Sequence, residues 1–306
     1  MRCYLCPRRC GVRRDQGEPG FCRSPWEITA ARAALHMWEE PVLSGVSGSG
    51  TVFFSGCALG CVFCQNRTIA GGQTARVISS EKLTEKFLML QEMGAHNINL
   101  VTGSHYVPQI VKALRRAKDR GLSIPVVYNT GSYEKVQTLR LLEGLVDIWL
   151  PDLKYMDGRL AARYAGAPDY FAYASAAIGE MIRQTGEPVL EPVPGVYTED
   201  GEELLLMKKG VIVRHLLLPG QLEDSKNIIR YLYETWGSRI YISIMNQYTP
   251  CNELPDYPEL QRKVTQEEYD ALVDYAIELG VEQGFIQEGE TAEESFIPAF
   301  DYEGLD

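Results

Sequence analysis

Short apolar segments alternate with longer segments of helical periodicity along most of the chain. The apolar segments are residues 51–56, 97–102, 124–129, 146–150, 210–218 and 239–245. Continuous apolar segments of this kind are typical of strands buried on both faces of a parallel sheet. Helices are predicted between and after them, over residues 80–93, 107–120, 132–144, 168–185 and 222–236.

About six strand–helix units predict an α/β fold. Six units can form a full or an incomplete barrel, and we expect a partial TIM barrel. Thr265 and Glu268 form a capping box, which predicts one more helix after the last of these strands. In such a barrel the active site is built from the loops that follow the carboxyl ends of the strands. We therefore expect the functional residues in those loops.

The pattern divides the chain into three regions. Residues 1–27 have closely spaced Cys, Gly, Pro and Arg without apolar periodicity, and we interpret them as a metal-binding segment. Residues 28–284 form the predicted barrel, which includes a polar excursion over residues 194–209. Residues 285–306 are an acidic tail that we expect to pack on the outside of the barrel.

Charge and hydropathy exclude several classes of protein. The 306 residues include 30 basic and 41 acidic side chains, which gives a formal net charge of −11. An acidic chain lacks the basic footprint of sequence-independent nucleic-acid binding. No apolar run approaches the roughly 18 residues of a membrane helix, and the first residues lack the apolar core of a signal peptide. We expect a cytoplasmic protein that binds neither nucleic acid nor membrane.

Seven of the eight cysteines form two groups, and the eighth stands apart from them. They stand at positions 3, 6, 10, 22, 57, 61, 64 and 251. A disulfide framework is typical of short secreted chains, whereas clustered cysteines in a reducing cytosol more often bind metal. Both groups are therefore candidate metal sites.

The second group follows the first predicted barrel strand. Cys57, Cys61 and Cys64 have the spacing CxxxCxxC. Three thiolates on one short loop can bind three irons of a [4Fe–4S] cluster and leave the fourth iron open to a chelating small molecule. Structural zinc takes four protein ligands, and no fourth ligand lies nearby in the sequence. A zinc knuckle or three unrelated buried cysteines are the alternatives.

This loop resembles the signature of the radical S-adenosylmethionine (SAM) superfamily, including Phe63 before the last cysteine. The wider chain resembles a branch related to pyruvate formate-lyase activating enzyme. The matching segments are Cys3–Gly11, Gly48–Asn66, His105–Ile110, Leu150–Tyr155, Val213–Gly220 and Gln247–Pro250. The resemblance implies a cluster whose open iron binds the amino and carboxylate groups of SAM. It also implies reductive cleavage of SAM to a 5′-deoxyadenosyl radical that abstracts hydrogen from a substrate.

The resemblance also implies SAM contacts at the strand ends. Relatives commonly have Gly-Gly-Glu after the second strand, where it contacts the SAM amino group. This chain has Gly103, Ser104 and His105 there and no Glu. The Gly103 backbone and the two side chains are the candidate contacts, although His105 can equally cap the following helix.

Two further strand ends carry candidate SAM contacts. Asn129 follows the third strand and can hold the ribose or methionine part, or the segment can be a helix cap made by Thr130 or Ser132. Asp152 and Lys154 match an Asp-Leu-Lys segment of activating enzymes, with Lys154 facing the SAM carboxylate; a structural ion pair is the alternative.

Arg214 and His215 form a charged pair within an apolar strand, where an unpaired charge is costly. We expect Arg214 to point into the barrel as a fork for a carboxylate, because its planar guanidinium pairs well with that group. His215 then faces the helix layer as a hydrogen-bonded core residue.

The first cysteine group supplies four thiolates, from Cys3, Cys6, Cys10 and Cys22. Four thiolates suit either a structural zinc ion or a second [4Fe–4S] cluster, and the spacing leaves both open. The nearby residues Arg8, Arg9, Arg13 and Arg14 form a basic patch that can dock an acidic electron donor such as a flavodoxin or ferredoxin.

The function predicted from these features is that of an anaerobic radical SAM oxidoreductase. The resemblance suggests that it activates a glycyl radical enzyme. One alternative is radical modification of another peptide or small molecule. The alternative from a different class is a non-catalytic metal-binding or electron-transfer protein.

Overall fold

The computed structural model describes residues 2–198, 201–250, 253–287 and 298–306. Ten strands are present within these ranges. They are β1 (Ile28–His36), β2 (Ser49–Phe54), β3 (Arg76–Ile78), β4 (Ile98–Val101), β5 (Val126–Thr130), β6 (Ile148–Pro151), β7 (Val189–Tyr197), β8 (Glu203–Leu216), β9 (Tyr241–Met245) and β10 (Gly284–Ile286).

Nine α-helices are present within the same ranges. They are α1 (Pro41–Ser44), α2 (Arg67–Ala70), α3 (Ser80–Glu92), α4 (Val107–Asp119), α5 (Val136–Leu139), α6 (Gly158–Ala165), α7 (Tyr170–Thr185), α8 (Leu222–Trp236) and α9 (Gln266–Leu279). The predicted capping box begins α9, where Thr265 accepts a hydrogen bond from the Glu268 amide and Glu268 accepts one from the Thr265 amide. This reciprocal pairing satisfies two backbone donors of the first turn.

Nine of the described strands follow one another across the sheet in the order β10-β9-β8-β6-β5-β4-β2-β1-β3, and β7 pairs with β8 outside this order. Neighbours from β10 to β2 are parallel, whereas β1 pairs antiparallel with both β2 and β3. The described strands β3 and β10 lie at opposite edges, so the barrel is open. The predicted partial TIM barrel is thus confirmed. It has seven parallel strands and not the six predicted, because the sequence of the short strand β10 contains no recognisable apolar segment.

The central strands are buried on both faces, as their continuous apolar segments predict. Every residue of β2, β4, β5 and β6 is buried. Helices cover the outer face, and Tyr128 and Trp149 pack edge to face with their ring centres 5.3 Å apart. This packing gives a rigid base for the loops at the carboxyl ends of the strands.

Two segments differ from the sequence-based expectation. The polar excursion at 194–209 belongs to a hairpin of β7 and β8, and β7 is mostly exposed, so it has no apolar pattern to detect. The helix expected over 132–144 shortens to α5 and one 3₁₀ turn. Ser132 adopts a left-handed φ of 61° and Glu134 is buried by hydrogen bonds to other strand ends, which prevents an earlier start of the helix.

The acidic end of the chain lies against β1. The backbone of residues 298–306 reaches β1 through hydrogen bonds from the Ala33 amide to the Glu303 carbonyl and from the Tyr302 amide to the Ala31 carbonyl, 2.9 and 3.0 Å long. Arg32 forms an ion pair with Asp301 at 3.0 Å. Residues 288–297 of the predicted tail lie outside the described residues. Within the described part of the chain, no helix is long and apolar enough to cross a membrane.

Candidate active site

The loops at the carboxyl ends of the parallel strands surround one cavity of about 260 Å³. Strands β2, β4, β5, β6, β8 and β9 or the loops that follow them all contribute to its wall. Most of the predicted site residues line it, namely Cys57, Cys61, Phe63, Cys64, Ser104, Asn129, Asp152, Lys154 and Arg214. Further lining residues include Trp38, Glu39, Thr130, Gln247 and Tyr248.

The three loop cysteines stand on one side of this cavity, and each is partly buried as a residue. The Leu59 amide donates a hydrogen bond of 3.4 Å to Cys57 Sγ. Burial raises the pKa of Cys61 to about 11 and the pKa of Cys64 to about 12. A cationic iron centre would offset this effect of burial by stabilising the thiolates.

The donor set fits a [4Fe–4S] cluster with an open corner. No fourth cysteine lines the cavity within the described residues, since Cys3, Cys6, Cys10 and Cys22 line a different one. Likewise, no group of three His, Cys, Asp or Glu in the described ranges is placed to hold a single metal ion. Three thiolates spread over a loop are instead suited to separate irons of one cluster.

Aromatic packing holds the second half of the cysteine loop. Phe63 makes edge-to-face contacts with Tyr164 and Tyr248, with ring centres 6.4 and 6.0 Å apart. The Val62 amide donates to the Tyr164 carbonyl at 2.9 Å. Phe63 therefore anchors the loop as well as lining the cavity.

A charged cluster lies across the cavity from β6 to β8. Asp152 Oδ1 accepts a hydrogen bond from Arg214 Nε at 2.9 Å, and Asp152 Oδ2 accepts one from Lys154 Nζ at 2.6 Å. Burial alone would raise the pKa of Asp152, but the two cations outweigh burial and lower it. Asp152 is therefore held as a carboxylate between two positive charges.

Arg214 points into the barrel and His215 toward the helix layer, as the charged pair in an apolar strand predicts. The Arg214 guanidinium also binds Glu39 Oε2 at 3.1 Å and Asn129 Oδ1 at 2.6 Å, so these bonds and the one to Asp152 occupy three of its five N–H donors. His215 donates from Nδ1 to the Leu153 carbonyl and bonds the Ser225 hydroxyl through Nε2. Arg214 therefore orients the cavity's own side chains, and its contact with SAM stays a prediction.

Glu39 belongs to this cluster, although it gave no signal in the sequence. Its Oε1 accepts hydrogen bonds from Asn99 at 2.8 Å and from Asn129 at 3.3 Å. Burial raises its pKa, while the charge of Arg214 opposes the rise. Glu39 lies in a short connection between β1 and α1, where a pair of glutamates normally indicates a solvated loop. Only the tertiary structure brings Glu39 to the wall of the cavity.

A second buried carboxyl, Glu134, organises two strand ends. Its Oε1 accepts hydrogen bonds from Ser104 Oγ at 2.5 Å, Thr130 Oγ1 at 2.7 Å and Tyr128 OH at 3.3 Å. Burial raises the pKa of Glu134. The Thr130 hydroxyl thus binds a side chain and does not cap α5. The Ser104 hydroxyl oxygen keeps lone pairs for the cavity.

Gly103 and His105 do not line the cavity. The position of a Cβ at Gly103 lies 2.6 Å from Ile110 Cδ1, so a side chain there would have to displace this methyl group of α4. The ring of His105 bonds the Ser55 carbonyl at 2.8 Å and faces the N-terminal cysteines. The structure therefore separates these two residues from the other predicted SAM contacts.

The basic patch predicted near the N-terminus is smaller than expected. Arg14 is buried and donates to the carbonyls of Ser24 and His105, at 3.0 and 2.6 Å. Arg8 is half-buried and also binds backbone carbonyls. Arg9 and Arg13 remain exposed. Two of the four arginines therefore hold the fold and are not available as a docking surface.

Comparisons with known proteins agree with this site. Residues 51–181 match the model of the Radical SAM superfamily. The uncharacterized protein MJ0674 of Methanocaldococcus jannaschii is 28% identical over 281 residues, covering 90% of this chain and 74% of that protein. Residues 51–181 contain the three-cysteine loop and the strand ends from β2 to β6.

Two solved structures share the fold at low sequence identity. SuiB of Streptococcus suis, bound to S-adenosylmethionine, has a TM-score of 0.50 and 13% identity, covering 77% of this chain and 49% of SuiB. Methylornithine synthase (PylB) has a TM-score of 0.51 and 13% identity, covering 81% of this chain and 63% of that chain. The chain thus spans about half the length of SuiB and under two thirds of the synthase. At these identities the similarity concerns the fold.

The open barrel and its three-cysteine cavity define an enzyme of the radical SAM class. Residues 51–181, which include the three-cysteine loop, form a radical SAM domain. Its cofactors are accordingly a [4Fe–4S] cluster and S-adenosylmethionine. The superfamily includes many reactions, so membership leaves the substrate open.

Proposed function

We propose that the chain cleaves SAM reductively at the cavity and uses the product to abstract hydrogen from a glycine of a partner protein. The observation that carries the proposal is the convergence of Cys57, Cys61 and Cys64 with the Asp152–Lys154 pair at one cavity. When bound, a [4Fe–4S] cluster with SAM supplies cleavage of the sulfonium to methionine and a 5′-deoxyadenosyl radical, which takes a hydrogen atom from the substrate.

The chain's own residues bind and orient these groups. Cys57, Cys61 and Cys64 would hold three irons of the cluster, and the fourth iron would have no protein ligand. Lys154 uses one of its three N–H donors on Asp152, so its ammonium can also hold the SAM carboxylate. Asp152 carries negative charge beside this position and can accept from the SAM amino group.

Two polar residues complete the proposed SAM contacts. Arg214 fixes the Asn129 amide through Asn129 Oδ1, and Glu134 fixes the Ser104 hydroxyl. Both groups are therefore pre-oriented before SAM enters, which lowers the cost of ordering them on binding. Phe63 and Tyr248 form the apolar part of the wall and exclude water from the reacting atoms.

The proposed substrate rests on resemblance to the branch related to pyruvate formate-lyase activating enzyme. The segments that carry it include Leu150–Tyr155 and Val213–Gly220, which place Asp152, Lys154 and Arg214 in the cavity. A flavodoxin or ferredoxin is the proposed electron donor. Modification of another peptide or small molecule is the result we expect if no glycyl radical forms in a partner.

Anaerobic reconstitution tests the proposal. Wild-type protein with iron, sulfide, SAM and a strong reductant should form 5′-deoxyadenosine. Cys61→Ala should reduce its formation by at least about 1000-fold, because one iron loses its ligand. Val62→Ala in the same loop is the matched control and should keep most of the activity. If the iron-loaded wild type forms no 5′-deoxyadenosine under these conditions, the proposal is refuted. A glycyl radical signal in a candidate partner, measured by electron paramagnetic resonance, tests the substrate.

A further inference from the structure

The four N-terminal cysteines line a small cavity of their own, although they are separated by up to eighteen intervening residues in the chain. Cys3, Cys6, Cys10 and Cys22 share this cavity with Arg14 and His105. The position of a Cβ at Gly20 lies 3.6 Å from Cys10 Sγ and 3.8 Å from Cys22 Sγ, which places these two sulfurs around one point. Convergence of four thiols is the arrangement of a thiolate metal site.

His105 adds a second observation at the same cavity. Its ring is almost fully buried, and Nε2 donates to the Ser55 carbonyl. The Nδ1 lone pair is buried and has no hydrogen-bond partner among the described residues. The wall of this cavity therefore contains a buried polar atom as well as the four thiols.

The N-terminal segment also holds the cysteine loop of the active site. Arg8 lies between Cys6 and Cys10 and donates to the Ala58 carbonyl at 2.8 Å and the Leu59 carbonyl at 2.9 Å. It also donates to Ala165 and Gly166 at the end of α6, at 2.8 and 2.5 Å. One guanidinium thus joins the Cys57 loop to α6 through four backbone carbonyls.

Phe21 and Cys22 complete this contact. The Phe21 ring stacks under the Arg8 guanidinium, 3.7 Å from its centre, and lies 3.1 Å from the Cβ position of Gly60. The Cys22 carbonyl lies 2.6 Å from the Cβ position of Gly56, which precedes Cys57 and has a φ of 91°. Only glycine permits this approach, so the two cysteine groups are in backbone contact.

We propose that Cys3, Cys6, Cys10 and Cys22 bind one metal centre through four thiolates, and that this centre acts as a clasp that keeps Arg8 and Phe21 on the Cys57 loop. The ligand is a [4Fe–4S] cluster, because no three of the described side chains are placed to hold a single ion, whereas a cluster takes each thiolate on a separate iron. Without it, the segment has little apolar packing of its own, so Arg8 loses its fixed position. The metal is structural, and Arg8 is a positioning residue.

Metal analysis of the full chain tests the site. Replacing Cys57, Cys61 and Cys64 together by Ser removes the active-site ligands, so any remaining metal belongs to the N-terminal group. We expect about four irons with sulfide per chain, and about one zinc without iron would overturn the cluster. Adding Cys10→Ser, which changes an exposed thiol, should lower that metal at least about tenfold after washing with chelator. Cys22→Ser gives a second variant. No remaining metal, or metal unchanged in both variants, would overturn the site.

Hydrogen exchange of the loop amides over residues 57–64 tests the clasp. Cys10→Ser and Arg8→Ala should each speed exchange at least about tenfold, because the loop loses hydrogen bonds to a charged donor. Arg13→Ala is the matched control, since Arg13 is exposed and its side chain bonds Gln16. Exchange that is unchanged in Arg8→Ala would overturn the clasp. This readout does not depend on SAM cleavage, so it separates failure of the clasp from failure of the proposed function.

Discussion

The Cys57 loop and the N-terminal segment both present thiols to a cavity, but different structures surround them. The loop follows a fully buried strand and faces charged side chains from β6 and β8. The N-terminal segment has no long helix or strand and reaches the barrel mainly through arginines bound to backbone carbonyls. Three thiols near an orienting charge network suit an exchangeable ligand, whereas four thiols without one suit a closed structural centre.

A largely buried arginine lies at each region, Arg214 on β8 facing the Cys57 loop and Arg14 in the N-terminal segment. Replacing each of them tests the comparison most strongly. Arg214→Met should lower the free energy of unfolding by about 3–5 kcal/mol, because Asp152 and Glu39 lose the cation between them. Arg14→Met should cost about 1.5–3 kcal/mol, because its partners are backbone carbonyls. Urea unfolding followed by circular dichroism measures both. Equal costs would show that the two regions are not built differently.

Acid should destabilise the barrel through His215. Burial lowers the pKa of His215 from its ordinary value of 6.5 to about 4. A lowered pKa means that the neutral form stabilises the folded state above pH 6.5, and that this stability is lost as the pH falls toward 4. The wild type should lose roughly 3 kcal/mol over that range, at about 1.4 kcal/mol per pH unit. His215→Gln should show a flatter profile in urea unfolding.

The Cys10→Ser protein serves as the control for this pH dependence. The difference in unfolding free energy between Cys10→Ser and the double variant Cys10→Ser/His215→Gln should change with pH as steeply as the difference between the wild type and His215→Gln. The reason is that His215 bonds Leu153 and Ser225 in the barrel wall. A slope that disappears in Cys10→Ser would couple acid sensitivity to the N-terminal segment and would contradict the separation of the two regions.

Two lysines test the comparison through ligand binding, with the smallest expected effect. Lys154→Met should weaken SAM binding about 10–100-fold, or roughly 1.4–2.7 kcal/mol, through loss of a charge-assisted hydrogen bond. Lys135→Met is the matched control, because Lys135 binds the Tyr4 carbonyl in the N-terminal segment at 2.6 Å. Anaerobic equilibrium binding of SAM to iron-loaded protein measures both. Similar affinities of the two variants would remove Lys154 from the site.

Much of the barrel could be predicted because its strands are buried on both faces. Residues such as Val52, Leu100 and Ile148 leave an apolar pattern that survives without any tertiary information. The β7–β8 hairpin could not be predicted, since β7 is mostly exposed and its pairing depends on a partner later in the chain. The three-residue strand β10 was too short to give a pattern.

The candidate site shows the same limit at the level of single side chains. Cysteine spacing and the strand-end position of Asp152 and Lys154 are visible in the sequence. The burial of Glu39 and Glu134 is not, because a carboxylate next to a turn normally indicates solvent. His105 was placed at a strand end correctly, but its ring turns toward the other cysteine group. Side-chain direction there depends on the Ser55 carbonyl, fifty residues away in the chain.

The sequence by itself determined the order of strands and helices, the two groups of cysteines and the superfamily resemblance, because these depend on local spacing and residue type. Only the tertiary structure decided which polar groups share a cavity. It gave the Arg214 fork to Asp152, Glu39 and Asn129, and it set Arg8 on the carbonyls of the Cys57 loop. Such pairings join residues far apart in the chain, and the cost of burying each charge without its partner is what selects them.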